Sequence, residues 1–232
     1  MVISRPQISD LIWGRIFENS SIMLFEKEKF FSIMSALEKL RSQADYNTGS
    51  IPASSAWALF ATVCYFQPQL ILEVGTFIGR SAVAMALGMS EIGVKNAEIH
   101  TCDSKNDIHL PAIENVKIVQ YPRTNSYDML NRIVSNTKDD RKCEMFHFDG
   151  NLQAPDFPLI ERIRSADVIF ALDDFEAVDK GVTNYVNLRD AGLLENYQLI
   201  LPPTDRLLQR FGFSDRSATA LLIPLSTIQL SQ

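Results

Sequence analysis

Two groups of residues have the types and the spacing that ligand chemistry requires. The first is the run EVGTFIGRS at residues 73–81, where two glycines four positions apart follow an acidic residue at the end of an apolar segment. The second is a set of aspartates that end two later apolar segments, Asp149, Asp173 and Asp174. Glycines allow a ligand close to the backbone, and clustered carboxylates bind hard cations. We therefore expect an organic ligand and a cation.

The spacing of the first group differs from two common phosphate-binding patterns. Dinucleotide sites use G-x-G-x-x-G and triphosphate sites end in Gly-Lys-Ser or Gly-Lys-Thr, whereas this run is E-x-G-x-x-x-G. We expect Glu73 to direct its charge at the mouth of the pocket, where it would repel phosphate and attract a sulfonium or an ammonium. Gly75 would give close backbone access, and the helix after Gly79 would offer free N–H groups to an anion.

Strands and helices must bring these groups to one edge of a sheet. Short apolar runs at 70–74, 97–102, 116–119, 143–148, 168–172 and 197–201 alternate with helical patterns at 81–89, 125–134, 157–163 and 181–190. Apolar runs without charges on either face are typical of parallel strands covered by helices. The link from 103 to 116 contains Pro111, so its helix is short or missing. A last run at 219–225 is predicted to form an antiparallel pair with the strand at 197–201 at the sheet edge.

The pattern predicts an α/β fold with one doubly wound, mostly parallel, seven-stranded sheet whose last strand is antiparallel. Two helices, at 25–40 and 54–66, precede it. We predict that residues 1–67 form a helical cover and residues 68–232 the ligand-binding domain. Trp57, Tyr65 and Phe66 would line the pocket with the loop at 46–52, or belong to the core or to a dimer face.

Composition excludes several classes of protein. The net charge of −6 is spread over segments of mixed sign, without the basic stripe that a nucleic acid would need. No apolar run approaches the roughly 20 residues that span a bilayer, so we expect a soluble, cytoplasmic protein with no membrane partner. Cys64, Cys102 and Cys143 are odd in number and widely spaced, which favours reduced structural thiols.

The run at 73–86 resembles motif I of class I S-adenosylmethionine-dependent methyltransferases, most closely the catechol O-methyltransferase-like group of small-molecule O-methyltransferases. The resemblance extends from about 48 to about 181 and implies a Rossmann-like methyltransferase fold. It also implies that Ser81 binds the methionine carboxylate and that the backbone of Gly75 lies under the cofactor. The candidate cofactor contacts of this region are Glu73, Gly75, Thr76, Phe77, Gly79 and Ser81, with Asp149 beyond it.

Two further positions are candidate cofactor contacts. Asp103 ends the second strand, where a carboxylate can accept both ribose hydroxyls, although acids also often cap strand ends. Ser126 and Tyr127 follow the third strand, where the family contacts the adenine. Asn125 in the same stretch is equally suited to capping the next helix.

The aspartates Asp149, Asp173 and Asp174 end strands that a right-handed crossover makes parallel neighbours. With no basic partner in the local sequence they would repel one another, and a divalent cation relieves that repulsion. Oxygen ligands favour Mg²⁺ over zinc. The set also resembles the Mg²⁺ site of the catechol family and of bacterial natural-product O-methyltransferases. Alternatively, Asp173 or Asp174 caps the next helix and Asp149 meets an arginine.

The general base is unassigned. The family's lysine, three positions after the first metal aspartate, corresponds here to Leu152. Asp149 and His147 are the candidate catalytic residues, although His147 could equally be a buried strand residue. Lys180 follows the acidic pair and could equally be a surface charge.

The predicted function is an S-adenosylmethionine-dependent, divalent-metal-dependent O-methyltransferase acting on a small molecule, such as an intermediate of natural-product biosynthesis. One alternative is a metal-independent N- or O-methyltransferase with a side-chain base. Another, of a different class, is a nucleotide-binding oxidoreductase or a non-catalytic sensor. The predicted partner is the small-molecule substrate, and a homodimer is a further expectation.

Overall fold

A computed structural model describes residues 2–3, 5–46, 49–136, 141–176 and 179–227 of the chain. The strands are β1 (Val2–Ile3), β2 (Leu70–Val74), β3 (Ala97–Asp103), β4 (Val116–Pro122), β5 (Cys143–Phe148), β6 (Arg164–Leu172), β7 (Tyr197–Ile200) and β8 (Ala220–Pro224). The helices are α1 (Pro6–Phe17), α2 (Ser20–Leu24), α3 (Lys27–Leu37), α4 (Ala53–Phe66), α5 (Arg80–Glu91), α6 (Ser126–Asn136), α7 (Asp156–Ile163), α8 (Lys180–Asp190) and α9 (Asp205–Arg210).

The strands form one sheet in the order β1-β7-β8-β6-β5-β2-β3-β4. Every pair is parallel except those of β8, which is antiparallel to both β6 and β7. The doubly wound α/β fold and the antiparallel last strand are thus confirmed. The order reverses at β2, which pairs with β3 on one side and β5 on the other, and ligands bind at such a point.

One detail of the sheet differs from prediction. Strand β1 adds an eighth strand beside β7, and its two residues are too few to show a periodic pattern. The predicted antiparallel pair of the last two strands is confirmed, and β8 is its inner member, between β6 and β7. The long connection from β7 to β8, which contains α9, gives the chain enough length to return to that inner place.

The helices around the sheet follow the predicted pattern. Helices α5, α6, α7 and α8 cover the predicted segments with small changes at their ends. Residues 104–115 between β3 and β4 are described and contain no helix, as the proline indicated. The predicted helix at 25–40 is α3 followed by a 3₁₀ turn over Glu38–Gln43. Helices α1, α2 and α9 were not predicted.

Each face of the sheet carries an apolar core. On one face α4 lies against α5 and the sheet, with the side chains of Trp57 and Phe60 almost fully buried. On the other face Phe146 and Phe170 stack with ring centroids 5.5 Å apart. Such close packing within each core is what fixes the relative positions of strands and helices.

The amino-terminal segment shares the first core with the rest of the chain. Trp13 in α1 is fully buried and donates its indole N–H to the carbonyl of Leu201 at 2.9 Å. The chain passes from α4 to β2 through Gln67, which has a positive φ of 56°. The division at 67/68 stays a prediction, and the shared core joins the two segments closely.

The described helices and thiols bear on two further predictions. Among the residues that the structure describes, no helix combines the length and the apolar character needed to cross a bilayer. Cys64, Cys102 and Cys143 are buried and free, as predicted. Burial raises the pKa of the Cys64 thiol to about 12, with the charge of Glu91 adding to the rise, so this group is protonated at neutral pH.

Candidate functional site

The loop between β2 and α5 depends on its two glycines. Gly75 has a φ of 104°, and a Cβ there would lie 2.9 Å from the backbone carbon of Asp149 and the nitrogen of Gly150. Gly79, with a φ of 77°, is the residue that precedes α5. Glycine adopts these conformations without steric cost. The loop after β2 therefore lies directly against the loop that follows β5.

Glu73 does not point at the pocket mouth, so that prediction is wrong. In the parallel register Glu73 lies opposite Thr101 of β3 and His147 of β5. Its carboxylate accepts hydrogen bonds from the hydroxyl of Thr101 and pairs with Nδ1 of His147 at 3.0 Å. The side chain is fully buried. The carboxylate of Glu73 thus contacts side chains of the two neighbouring strands.

Asp103 ends β3, and its carboxylate organises the next part of the site. Its Oδ1 accepts the backbone N–H groups of Lys105 and Asn106, each at 2.8 Å. Its Oδ2 accepts the backbone N–H of Phe77 at 2.9 Å and the hydroxyl of Tyr46 at 2.8 Å. The position predicted for a ribose-binding acid is therefore occupied by a carboxylate that also holds the glycine loop.

A narrow cleft with a volume of about 10 Å³, enough for one water-sized sphere, lies beside Asp103. Its lining includes Thr76, Phe77 and Asn106. Nδ2 of Asn106 is buried and has no hydrogen-bond partner among the described residues. A buried donor without a partner is costly unless a ligand or water satisfies it. An acceptor and an unsatisfied donor side by side suit a polar nucleoside.

A second narrow cleft, also with a volume of about 10 Å³, lies at the start of α5. Ser81 and Arg80 line it together with Asp149. Nε of Arg80 is buried without a partner among the described residues, and the first N–H groups of a helix attract anions. Thr76 and Phe77 line both clefts. In chemical type, although not in the volume of the clefts, the lining residues thus suit a ligand with a nucleoside at one end and a carboxylate at the other.

Residues before α4 lie over this loop. Glu38 pairs with Arg80 at 3.0 Å and with Arg41 at 2.9 Å, and Ser50 donates to Glu38 at 2.9 Å. The ring of Tyr46 lies 5.0 Å from that of Phe77. Part of the predicted cover thus contacts the glycine loop. Within the predicted loop at 46–52, residues 47 and 48 lie outside the described residues.

The helix α4 behaves mainly as core. Trp57 is almost fully buried, while Tyr65 is exposed at the other end of the helix. The apolar side chains of α4 pack on α5 and α1. Of the alternatives left open for this helix, the core assignment describes Trp57 best.

The three aspartates converge as predicted. Asp149 follows β5, and Asp173 and Asp174 follow β6, its parallel neighbour. One carboxylate oxygen from each lies within 4.8 Å of the others. Asp173 is almost fully buried and accepts the hydroxyl of Thr219 at 2.7 Å. The next helix, α8, is capped by Asp179, so neither member of the acidic pair has that role.

The prediction that this cluster lacks a basic partner is wrong. Nζ of Lys180 lies 2.6 Å from Oδ1 of Asp149 and 2.7 Å from Oδ2 of Asp174. Burial opposes the change, but the two carboxylates hold the pKa of Lys180 above its usual value. Burial and the charge of Asp173 raise the pKa of Asp149, and Lys180 opposes that rise. The cluster therefore carries its own cation.

Packing at the start of α8 explains why the sequence did not identify Lys180 as the partner of the aspartates. Gly181 follows it, and a Cβ on Gly181 would lie 2.3 Å from the carbonyl oxygen of Asp173. The helix can approach the end of β6 only because that side chain is absent. The sequence signal that could have indicated this contact is the Lys-Gly pair that follows the acidic end of β6.

The donor set can be compared with what a divalent cation needs. Three carboxylates suit Mg²⁺ chemically, but the ammonium of Lys180 already contacts two of them. A divalent cation bound to the same oxygens would lie close to that ammonium, and the two positive charges would repel strongly. With Lys180 in this place, the residues do not fit a bound divalent metal.

His147 lies beneath the cluster and has no exposed surface. Its Nδ1 faces Glu73, and Nε2 has no partner among the described residues. Burial would lower the pKa of His147, but the hydrogen bond and charge of Glu73 raise it above its usual value. This is the place of a positioning residue, and the catalytic role of His147 stays a prediction. Leu152 is buried, with its N–H bonded to Asn184 at 3.0 Å.

The adenine-contact candidate Ser126 is engaged elsewhere. Its hydroxyl donates to Oδ2 of Asp156 at 2.7 Å at the start of α6. Asn125 caps this helix by accepting the N–H of Asp128 at 2.8 Å, as one alternative predicted. Contact between Ser126 and a cofactor stays a prediction.

Comparisons with known proteins show the fold. No family model matches the chain, and no curated protein matches it. Similar solved structures include an O-methyltransferase from Bacillus cereus in complex with SAH (12% identity, TM-score 0.58, 94% of this chain and 98% of that chain). Another is TomG from Streptomyces achromogenes, involved in tomaymycin synthesis and bound to SAM (14% identity, TM-score 0.56, 95% of this chain and 99% of that chain).

Cofactor-bound Rv0187 from MTB is similar in the same way, at 13% identity and a TM-score of 0.57, with 96% of this chain and 98% of that chain covered. Identities this low show a shared fold. The predicted resemblance is confirmed at that level: the chain has the Rossmann-like methyltransferase fold of O-methyltransferases such as those from Bacillus cereus and Streptomyces achromogenes.

Proposed function

We propose that this chain is an S-adenosylmethionine-dependent O-methyltransferase acting on a small molecule. The observation that carries the proposal is the pair of clefts that meet at Thr76 and Phe77, with Asp103 beside one and Asp149 in the other. They lie where the strand order reverses, in a fold that solved O-methyltransferases with SAM or SAH share.

The residues of the two clefts have distinct roles in binding. Asp103 would accept the ribose hydroxyls, and Nδ2 of Asn106 would donate to the same part of the nucleoside. Arg80, Ser81 and the first N–H groups of α5 would hold the methionine carboxylate. When bound, S-adenosylmethionine supplies an electrophilic methyl group on a sulfonium.

The acceptor would bind at the Asp149 end of the second cleft. There Asp149 accepts a hydrogen bond from an acceptor hydroxyl and orients its oxygen, which lowers the entropy cost of reaching the reactive geometry. Ser50 and Ile51, which line the same cleft, keep water from it. The proposed acceptor is a small hydroxylated molecule, such as an intermediate of natural-product biosynthesis.

Several further properties belong to this proposal. They are a cytoplasmic location, a homodimer, and the lack of nucleic-acid and membrane partners. The contacts of Lys180 with Asp149 and Asp174 favour the metal-independent alternative over the metal-dependent one.

Calorimetric titration of the whole chain with S-adenosylhomocysteine, S-adenosylmethionine and NAD tests the proposal. We expect the first two to bind and NAD not to bind. The Tm of the chain should rise as the concentration of either sulfur ligand increases. Asp103→Ala should abolish binding. Mass-spectrometric detection of S-adenosylhomocysteine in the presence of phenols, catechols and hydroxy acids then identifies the acceptor. Absence of binding by both sulfur ligands would overturn the proposal, and binding of NAD alone would favour the oxidoreductase.

A further inference from the structure

The aspartate cluster at the ends of β5 and β6 contains an internal cation. The ammonium of Lys180 lies within 2.7 Å of both Asp149 and Asp174 and is partly exposed. Asp173, the third member, is satisfied separately by the hydroxyl of Thr219. Each carboxylate therefore already has a partner within the chain.

The position of Lys180 is built into the fold. Asp179 accepts the N–H of Lys180 at 2.8 Å and so starts α8 at this residue. Gly181 allows the same turn to lie against the carbonyl oxygen of Asp173. Two features of the backbone thus place the ammonium beside the aspartates, whereas a surface lysine would need neither.

We propose that the Lys180 ammonium occupies the cation position of this cluster, so that the chain excludes divalent metals and transfers methyl groups without one. The first half of this inference stands on the geometry of the cluster alone. The second half rests on the proposed function. In that role Lys180 neutralises the carboxylates beside the acceptor. Asp149 takes the proton of the acceptor hydroxyl as the O–CH3 bond forms and the S–CH3 bond breaks, with release of S-adenosylhomocysteine.

Replacing Lys180 should open the cluster to a metal. A Lys180→Met variant keeps the length of the side chain but leaves three convergent carboxylates without a cation, and such a set binds divalent ions. We expect metal-stripped wild-type chain to leave the electron paramagnetic resonance signal of free Mn²⁺ unchanged. Lys180→Met should reduce that signal until one site is filled, and a second change, Asp149→Asn, should restore it.

Lys117→Met is the matched control. Lys117 also contacts a carboxylate, that of Glu98 at 2.6 Å, but it is exposed on β4. This variant should behave as the wild type does. Binding of Mn²⁺ by the wild-type chain, lost on Asp149→Asn, would overturn the inference, and so would a folded Lys180→Met that binds no Mn²⁺. If that variant does not fold, the titration of the wild-type chain still decides.

The catalytic half is tested by turnover after chelation. Once an acceptor is identified, wild-type activity should be the same with chelator and with added Mg²⁺, and a loss of activity on chelation would overturn this half. Failure of the proposed function is distinguishable, because it appears as absent S-adenosylhomocysteine binding and does not alter the Mn²⁺ titrations.

Discussion

The hydroxyl of Tyr46 donates a 2.8 Å hydrogen bond to Oδ2 of Asp103, the oxygen that also accepts the backbone N–H of Phe77. Burial, followed by the hydrogen bond to Asp103, raises the pKa of Tyr46, so the phenol stays protonated and acts as the donor. In the proposed binding mode, a ribose hydroxyl that approaches Oδ2 must replace Tyr46, so the cover and the cofactor would compete for one carboxylate oxygen.

Removing that hydroxyl should strengthen cofactor binding. In Tyr46→Phe the ring still packs on Phe77, while the competing hydrogen bond, worth about 1 kcal/mol, is lost. We expect the Kd for S-adenosylhomocysteine, measured by calorimetry, to fall roughly fivefold. Tyr197→Phe is the control, because it removes a hydroxyl that donates to the carbonyl of Val168 at 2.9 Å, and it should bind as the wild type does. Weaker binding of S-adenosylhomocysteine by Tyr46→Phe would contradict this and would mean that the hydroxyl contacts the cofactor.

The close approach of the β2 and β5 loops predicts a steric effect at Gly75. Gly75→Ala adds backbone strain and a contact of 2.9 Å with the backbone of Asp149. Gly192 also has a positive φ, 77°, but a Cβ there would meet no atom of the described residues within 4 Å, so Gly192→Ala isolates the strain, about 1–2 kcal/mol. In urea unfolding, Gly75→Ala should lose about 1–3 kcal/mol more of the free energy of unfolding than Gly192→Ala does. Equal losses for the two variants would contradict the loop contact.

The start of α8 predicts a second steric effect. Gly181→Ala would place a methyl group 2.3 Å from the carbonyl oxygen of Asp173, so the helix must move and Lys180 with it. We expect a loss of about 1–3 kcal/mol in the free energy of unfolding. Gly14→Ala in α1 meets nothing within 4 Å and should stabilise the chain by up to about 1 kcal/mol. A neutral Gly181→Ala would show that α8 starts elsewhere.

Stability at acidic pH should depend on Glu38. The hydrogen bond from Arg41, with further contributions from Ser50 and Arg80, holds the pKa of Glu38 below 4.5 in the folded chain. Its contribution is therefore present above the unfolded pKa of 4.5 and is lost as pH falls through the lower folded value. Because the carboxylate of Glu38 is partly exposed, we expect it to contribute less than about 1 kcal/mol to the free energy of unfolding.

Glu38→Gln tests this dependence through Tm measured across pH. The variant should melt below the wild type at neutral pH, and the difference should shrink as pH falls below 4.5. Glu161→Gln removes an exposed pair with Arg164 that lies away from the cover, and it should change Tm little at any pH. A difference for Glu38→Gln that grows on acidification would contradict the assignment.

Most of the sheet could be predicted from the sequence because its signals are local. The run 70–81 combines a short apolar strand, a glycine pair and a helix start, and the structure has β2, the loop and α5 there. Asp149 and Asp173 end adjacent parallel strands, so their convergence followed from chain order alone. The alternation of apolar runs and helical patterns was enough for the doubly wound class.

Properties that depend on register or on distant segments could not be predicted. Glu73 lies between Thr101 and His147 because three strands align side by side, and nothing near residue 73 encodes that alignment. Tyr46 reaches Asp103 from 57 positions away. Such contacts form only when the segments pack, since their sequence separation leaves no periodic signal.

By itself, the sequence determined the order of strands and helices, the glycine loop and the set of acids at one sheet edge, because each follows from neighbouring residues. The tertiary structure decided which charges meet. Lys180 becomes the cation of the aspartate cluster only because Gly181 allows α8 to contact the end of β6. That contact depends on the space left between two packed elements, which is a property of the folded chain.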